Sequence, residues 1–203
     1  MSFYRDLLLI GIAACIPAQV SAQSAQQPSS QIPTVGRPTS SADPLPLFDF
    51  DRYFTGGWTF EWDVPESPLG PEGTIKGTTV YKKLADNFFE AITEAVGPGG
   101  PLKVTETFAY RRENKTLARM VTDSRGFSFI QIGAIGGDLG GYYSIFFEGA
   151  PFVFKGETVS LRTTMRLLSP VNYKVESRIA VDGGPATNFG SPWWQREKSS
   201  SPK

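Results

Sequence analysis

The chain has 203 residues, 20 basic and 20 acidic side chains with a formal charge of +0, no histidine and one cysteine. Balanced charge with no basic stripe argues against a nucleic-acid partner, and the missing histidine excludes a Ser–His–Asp triad and a histidine-ligated zinc or haem. With 15 Phe, 7 Tyr and 4 Trp, the chain has the aromatic bulk for a large core or an apolar cavity.

Met1 to Arg5 is a short, weakly basic start. It leads into an apolar run from Leu7 to Ile16, then Pro17, then Val20-Ser21-Ala22 before Gln23. That order predicts a secretory signal over residues 1–22, cleaved after Ala22. The run is too short for a stable transmembrane segment. Ile12-Ala13-Ala14-Cys15 also resembles the lipobox of bacterial lipoproteins, which would anchor the chain to the membrane through Cys15. The two expected locations are therefore periplasmic or secreted, or lipid-anchored. Cys15 has no second cysteine to pair with, so no disulfide framework exists.

Residues 23–43 are Ser, Gln, Pro, Thr and Ala with little else, and bury too little to offset the entropy of ordering. They read as a disordered linker, and 198–203 as a disordered tail. Residues 44–197 remain, about 150 residues, enough for one complete core.

That domain reads as a succession of short strands. Trp58, Phe60, Trp62 and Val64 alternate with Thr59, Glu61 and Asp63, giving one dry and one wet face. Further strands are expected at Ile75–Tyr81, Phe88–Val96, Leu102–Tyr110, Thr116–Thr122 and Phe127–Ala134. After a glycine-rich break come Tyr142–Phe147, Phe152–Phe154, Val159–Leu168, Val171–Val181 and Trp193–Arg196. Phe88–Val96 also fits a two-turn helix. In the penultimate strand, Val171, Tyr173, Val175, Ser177 and Ile179 oppose Asn172, Lys174, Glu176 and Arg178; the strand before it alternates likewise. Connections hold Gly, Pro, Asn or Asp. An open sheet of this length and apolarity would aggregate, so closure is expected. The fold class is all-β: an antiparallel up-and-down β-barrel of about ten strands, with a sandwich or an α+β fold as alternatives.

Phe48-Asp49-Phe50-Asp51-Arg52-Tyr53-Phe54 leads to Gly56-Gly57-Trp58, and Trp193-Trp194-Gln195-Arg196 closes the domain. This pattern resembles the calycin superfamily of lipocalin-like barrels and the small exported bacterial domains of that look. In that superfamily a short helical turn precedes a Gly-x-Trp motif, matched here by Gly56 and Trp58. A basic residue near the last strand lies over the Trp, which implies that role for Arg196. The resemblance spans Leu47 to Arg196 and implies a fold more than a ligand. Haem-binding relatives use a histidine that this chain lacks. On physical grounds alone, Trp58 would plug one barrel end beneath Arg196.

No cofactor or metal site is expected. There is no phosphate-binding glycine loop and no dinucleotide fingerprint, and Asp138 in its glycine-rich run is too few ligands for calcium. Glu106 shares a face with Leu102, Val104, Phe108 and Tyr110, and Arg119 with Leu117 and Val121. If those faces point inward, the two charges must be paired or solvated. Reversed faces would instead leave both residues in solvent. A pair could read the polar end of an apolar ligand, with Tyr110, Tyr143 and Tyr173 as hydroxyl partners and Trp62 as an apolar wall. An unpartnered Glu106 would suit an acid or base instead.

Three functions follow. The first is a carrier or sensor of a small apolar or amphipathic molecule. The second is an isomerase, cyclase or hydrolase acting on a lipid-like substrate through carboxylate, Tyr and Arg. The third is a filled envelope module. About 300 Å³ of interior space, opening at one end past a Gly133–Gly141 gate, would favour the first. Oligomeric state is not encoded legibly.

Overall fold

The computed structural model describes residues 48–137 and 142–198. The signal, the lipobox Cys15, the linker, Asp138 and the end of the tail lie outside these residues. The chain enters through a five-residue helix, α1 (Phe50–Phe54), whose N-cap Asp49 accepts a hydrogen bond from the Arg52 amide at 3.1 Å.

Twelve strands follow among the described residues. They are β1 (Gly56–Val64), β2 (Gly73–Ala85), β3 (Phe88–Gly97), β4 (Gly100–Arg111), β5 (Thr116–Asp123), β6 (Phe127–Gly137) and β7 (Tyr143–Gly149), then β8 (Phe152–Phe154), β9 (Glu157–Ser169), β10 (Asn172–Val181), β11 (Thr187–Asn188) and β12 (Trp193–Arg196). Every pairing is antiparallel and runs in sequence order, while β8 and β11 attach to β9 and β10 respectively. Because β10 pairs with both β9 and β12, and β12 with β1, ten strands close into a ring. The fold is an all-β up-and-down barrel with two extra strands.

The alternation read from sequence sets the inside of this ring. Trp58, Phe60 and Val64 are buried on β1 while Glu61 is exposed. Tyr173, Val175, Ser177 and Ile179 are buried on β10, with Lys174 and Glu176 partly exposed and Arg178 exposed. Phe88–Gly97 is a strand paired on both sides, not a helix. Its alternating Phe89, Ala91, Thr93 and Ala95 enter the barrel. Val171 departs from the expected face at 60% exposure, because it precedes β10 and the register shifts between Asn172 and Tyr173.

One end of the barrel is plugged. Phe48, Phe50 and Phe54 insert among Tyr81, Phe89, Phe108 and Tyr110, with Phe50 stacked on Phe89 at 3.9 Å between ring centroids. Lys83 of β2 reaches Asp51 at 3.1 Å and pins α1 in place. Trp58 is fully buried beneath α1 and donates from Nε1 to the Phe54 carbonyl at 2.7 Å. The Arg196 guanidinium lies 4.4 Å from the Trp58 ring and donates to the carbonyls of Arg52, Tyr53, Thr55 and Pro170. It thus caps the C-terminal carbonyls of α1 as well as stacking. Gly56 makes room for it: φ is +117°, and a Cβ there would stand 2.9 Å from Arg196 Nη1.

The paired ends of β6 and β7, Gly137 and Tyr143, lie at this same plugged end, where Tyr143 packs on Phe48 at 5.1 Å. Of the expected gate Gly133–Gly141, the described part, Gly133–Gly137, is the end of β6 rather than a loop. Residues 138–141 themselves lie outside the described residues.

Candidate functional site

Beyond Trp58, toward the other end, the interior is not filled. A cavity of about 160 Å³ lies between Phe60, Trp62, Trp194 and Tyr173 on one side and Phe127 and Phe129 on the other. It falls below the roughly 300 Å³ that would by itself favour a ligand over a filled interior, because large aromatics on β1, β6 and β12 take up the interior of the ring. Phe60 and Trp194 stack at 4.6 Å, and Trp194 stacks on Tyr173 at 5.4 Å.

Glu106 on β4 and Arg119 on β5 both point inward and line this space. Arg119 Nη1 meets Glu106 Oε2 at 3.1 Å, with only 11% and 15% of their side chains exposed. Arg119 also donates to Gln131 Oε1 from Nε at 2.9 Å and Nη2 at 2.6 Å, while Gln131 donates to the Leu161 carbonyl at 2.8 Å. Its guanidinium rests 4.3 Å from the Phe147 ring. Desolvating two charges costs several kcal/mol each, about what a well-satisfied pair returns. The network is fixed and electrically neutral.

A second pair guards the mouth. Asp123, buried at the end of β5, holds Arg125 through Oδ2–Nη2 at 2.6 Å and Oδ1–Nε at 2.9 Å. Arg125 Nη1 donates at 2.7 Å to the carbonyl of Leu69, whose side chain is 3% exposed on the β1–β2 loop. Nearby, Trp62 donates from Nε1 to the Phe189 carbonyl at 2.9 Å.

At the floor, the Tyr81 and Tyr173 hydroxyls are 3.1 Å apart and buried. Burial, and then the charge of Glu106, pushes the Tyr81 phenol far above its ordinary 10.0. Burial, and then the neighbouring Tyr81, does the same to Tyr173. Both phenols are neutral hydrogen-bonding groups at ordinary pH.

Four of the sequence-predicted ligand residues, Glu106, Arg119, Trp62 and Tyr173, meet around the cavity. Tyr110 and Tyr143 do not; they pack against Phe48 in the plugged end. Both sit on strand positions nearer α1, a distance along the barrel axis that face parity does not report. The Tyr110 hydroxyl is buried without a hydrogen-bond partner among the described residues. The residues expected to be structural, Gly56, Trp58 and Arg196, come together at the plug. Sequence reasoning missed Gln131, Tyr81, Trp194 and the Asp123–Arg125 pair. Gln131 shares the parity of Phe127 and Phe129, so its inward position was readable. Asp123 shares the parity of Arg119 and Val121 but lies one residue beyond the expected end of that strand at Thr122.

No protein-family model matches the chain, and no curated protein matches it significantly. Among solved structures, that of Rv2717c from M. tuberculosis aligns over 77% of this chain and 100% of its own, at 13% identity and a TM-score of 0.62. A de novo designed fluorescence-activating β-barrel aligns over 74% of this chain and 100% of its own, at 14% identity and a TM-score of 0.41. The first likeness shows the fold alone: a closed antiparallel β-barrel.

Proposed function

We propose that this is an exported, lipocalin-like binder of a small neutral molecule, about one aromatic ring in size, with one or two hydrogen-bonding groups. The observation that carries the reading is an apolar cavity whose charges are already matched. Glu106 and Asp123 each hold a guanidinium, Arg119 and Arg125, at 3.1 and 2.6 Å. An entering anion would have to break one of these pairs and leave a buried carboxylate unpaired. A neutral ring would meet Trp62, Phe60 and Trp194 at the walls and find hydroxyls at Tyr81 and Tyr173. Cavities near 150 Å³ hold about one such ring.

The lipocalin-like assignment is supported by Gly56-x-Trp58 with Arg196 stacked over the ring. Export is supported by the order of Leu7 to Ala22. The mature chain then begins at Gln23, which intact mass measures; diacylglycerol on Cys15 would show the anchored form instead. Catalysis by Glu106 is disfavoured because Arg119 already occupies it.

Native mass spectrometry of the protein from its own source tests the function. A neutral molecule released on denaturation, and lost in a Val175→Trp variant that fills the cavity, is the expected result. A ligand that is anionic, or that survives Val175→Trp, would overturn it. So would protein that is empty and takes up no neutral ring compound, favouring the filled module.

A further inference from the structure

The barrel wall has a seam. β6 and β7 pair only as far as Gln131 and Gly149. There Gly149-Ala150-Pro151 turns the chain away: a Cβ on Gly149 would collide with the Ile130 carbonyl, and Pro151 has no N–H for a ladder. The strand that follows, β8, pairs with β9 alone. Phe127 to Ile130 of β6 thus faces β8 with no ladder between them.

Rings fill the gap instead. Phe152 stacks on Phe127 at 5.5 Å and on Phe129 at 5.1 Å, and Phe154 meets Phe127 edge-on at 4.9 Å. Phe127 and Phe129 line the interior cavity. Outside the wall, Phe129 and Phe152 border an apolar groove of about 370 Å³ with Met120, Ile130 and Pro151. Phe129 therefore touches both spaces, although strand parity turns it inward. Met120 and Ile130 are 52% and 59% exposed, an apolar approach on the outer surface.

We propose that this seam is a lateral gate and the groove outside it a first station for the same neutral ligand, which enters as Phe152 and Phe129 rotate aside. The inference rests on the binding function above. The open end of the barrel is the competing route, and it is latched. Leu69 is buried there, its loop is held by a Ser67–Gly70 bridge, and Arg125 holds its carbonyl with a charge-assisted bond. Passage at the mouth has to break that bond, whereas at the seam no ladder bond stands between β6 and β8 to be broken.

The test places a reporter thiol in the cavity by Thr163→Cys, in a Cys15→Ser background, and follows its modification by neutral methyl methanethiolsulfonate by mass. Phe152→Ala is expected to raise the rate about tenfold or more, and Leu69→Ala to change it less than about twofold. An unchanged rate in Phe152→Ala, or a larger gain from Leu69→Ala, would overturn the gate. Phe152→Leu, expected to give about threefold, replaces the alanine variant if unfolding measurements show that it does not fold. The readout needs no natural ligand, so the gate fails or stands separately from the identity of what binds.

Discussion

The plugged half of the barrel and the half toward the mouth share ten strands and one alternation, yet they end in different interiors. Near α1, Phe48, Phe50 and Phe54 enter from outside the ring and fill it against Trp58, Phe89 and Phe108. Toward the mouth the loop residues Leu69 and Phe189 reach in but leave the interior unfilled. There the strands supply paired charges, two phenols and aromatic walls around about 160 Å³ of space. A closed sheet is therefore not by itself a filled core. What fills it is a segment outside the sheet, and where that segment stops the ring retains room for a ligand.

Breaking the plugged half is expected to have the largest effect on stability. Trp58→Ala removes a fully buried indole and its bond to Phe54, and should cost about 3–5 kcal/mol in urea unfolding. A loss below about 1 kcal/mol would mean that this end is not the core. In the other half, Arg119→Met leaves Glu106 and Gln131 without their shared partner. It should cost about 3 kcal/mol, and adding Glu106→Gln should recover most of that, because the cost is the stranded charge rather than lost packing. Failure of the second change to recover stability would show that the pair is wet.

The two tryptophans of β1 sharpen the contrast. Trp62 sits at the cavity wall, half-buried, and Trp62→Ala should cost only about 1–2 kcal/mol while removing ligand uptake. Equal losses at Trp58 and Trp62 would abolish the distinction between the halves. The Tyr81–Tyr173 pair, which burial holds above the ordinary 10.0, is expected to show its effect only as the pH rises. A raised folded pKa means that the folded state keeps protons which the unfolded chain releases. Stability is therefore full below pH 10 and falls above it, by about 1.4 kcal/mol per pH unit for each phenol until its folded value is reached. Unfolding midpoints between pH 9 and 12 should show that slope, reduced in Tyr81→Phe and Tyr173→Phe.

Most of the barrel was legible because period two survives along nearly every strand. Trp58 to Val64 and Tyr173 to Ile179 show their inward face in the bare sequence, and the positions of Glu106 and Arg119 follow from the same parity. Position along the barrel axis was not legible. Parity says that Tyr110 and Tyr173 both face inward, and nothing in it says that one meets the plug while the other meets the cavity. The cavity volume was unreadable for a related reason: it depends on how far Phe48, Phe50 and Phe54 reach inside. The seam beside β8 was marked only by Gly149-Ala150-Pro151, which read as an ordinary turn.

Calorimetric titration with phenol and with benzoate at neutral pH tests the neutral cavity most directly, since the two probes share a ring and differ in charge. Saturable one-to-one binding of phenol, lost in Val175→Trp, with no measurable binding of benzoate, is the expected result. Benzoate binding as well as phenol, or phenol binding unaffected by Val175→Trp, would contradict the matched-charge interior on which the function rests.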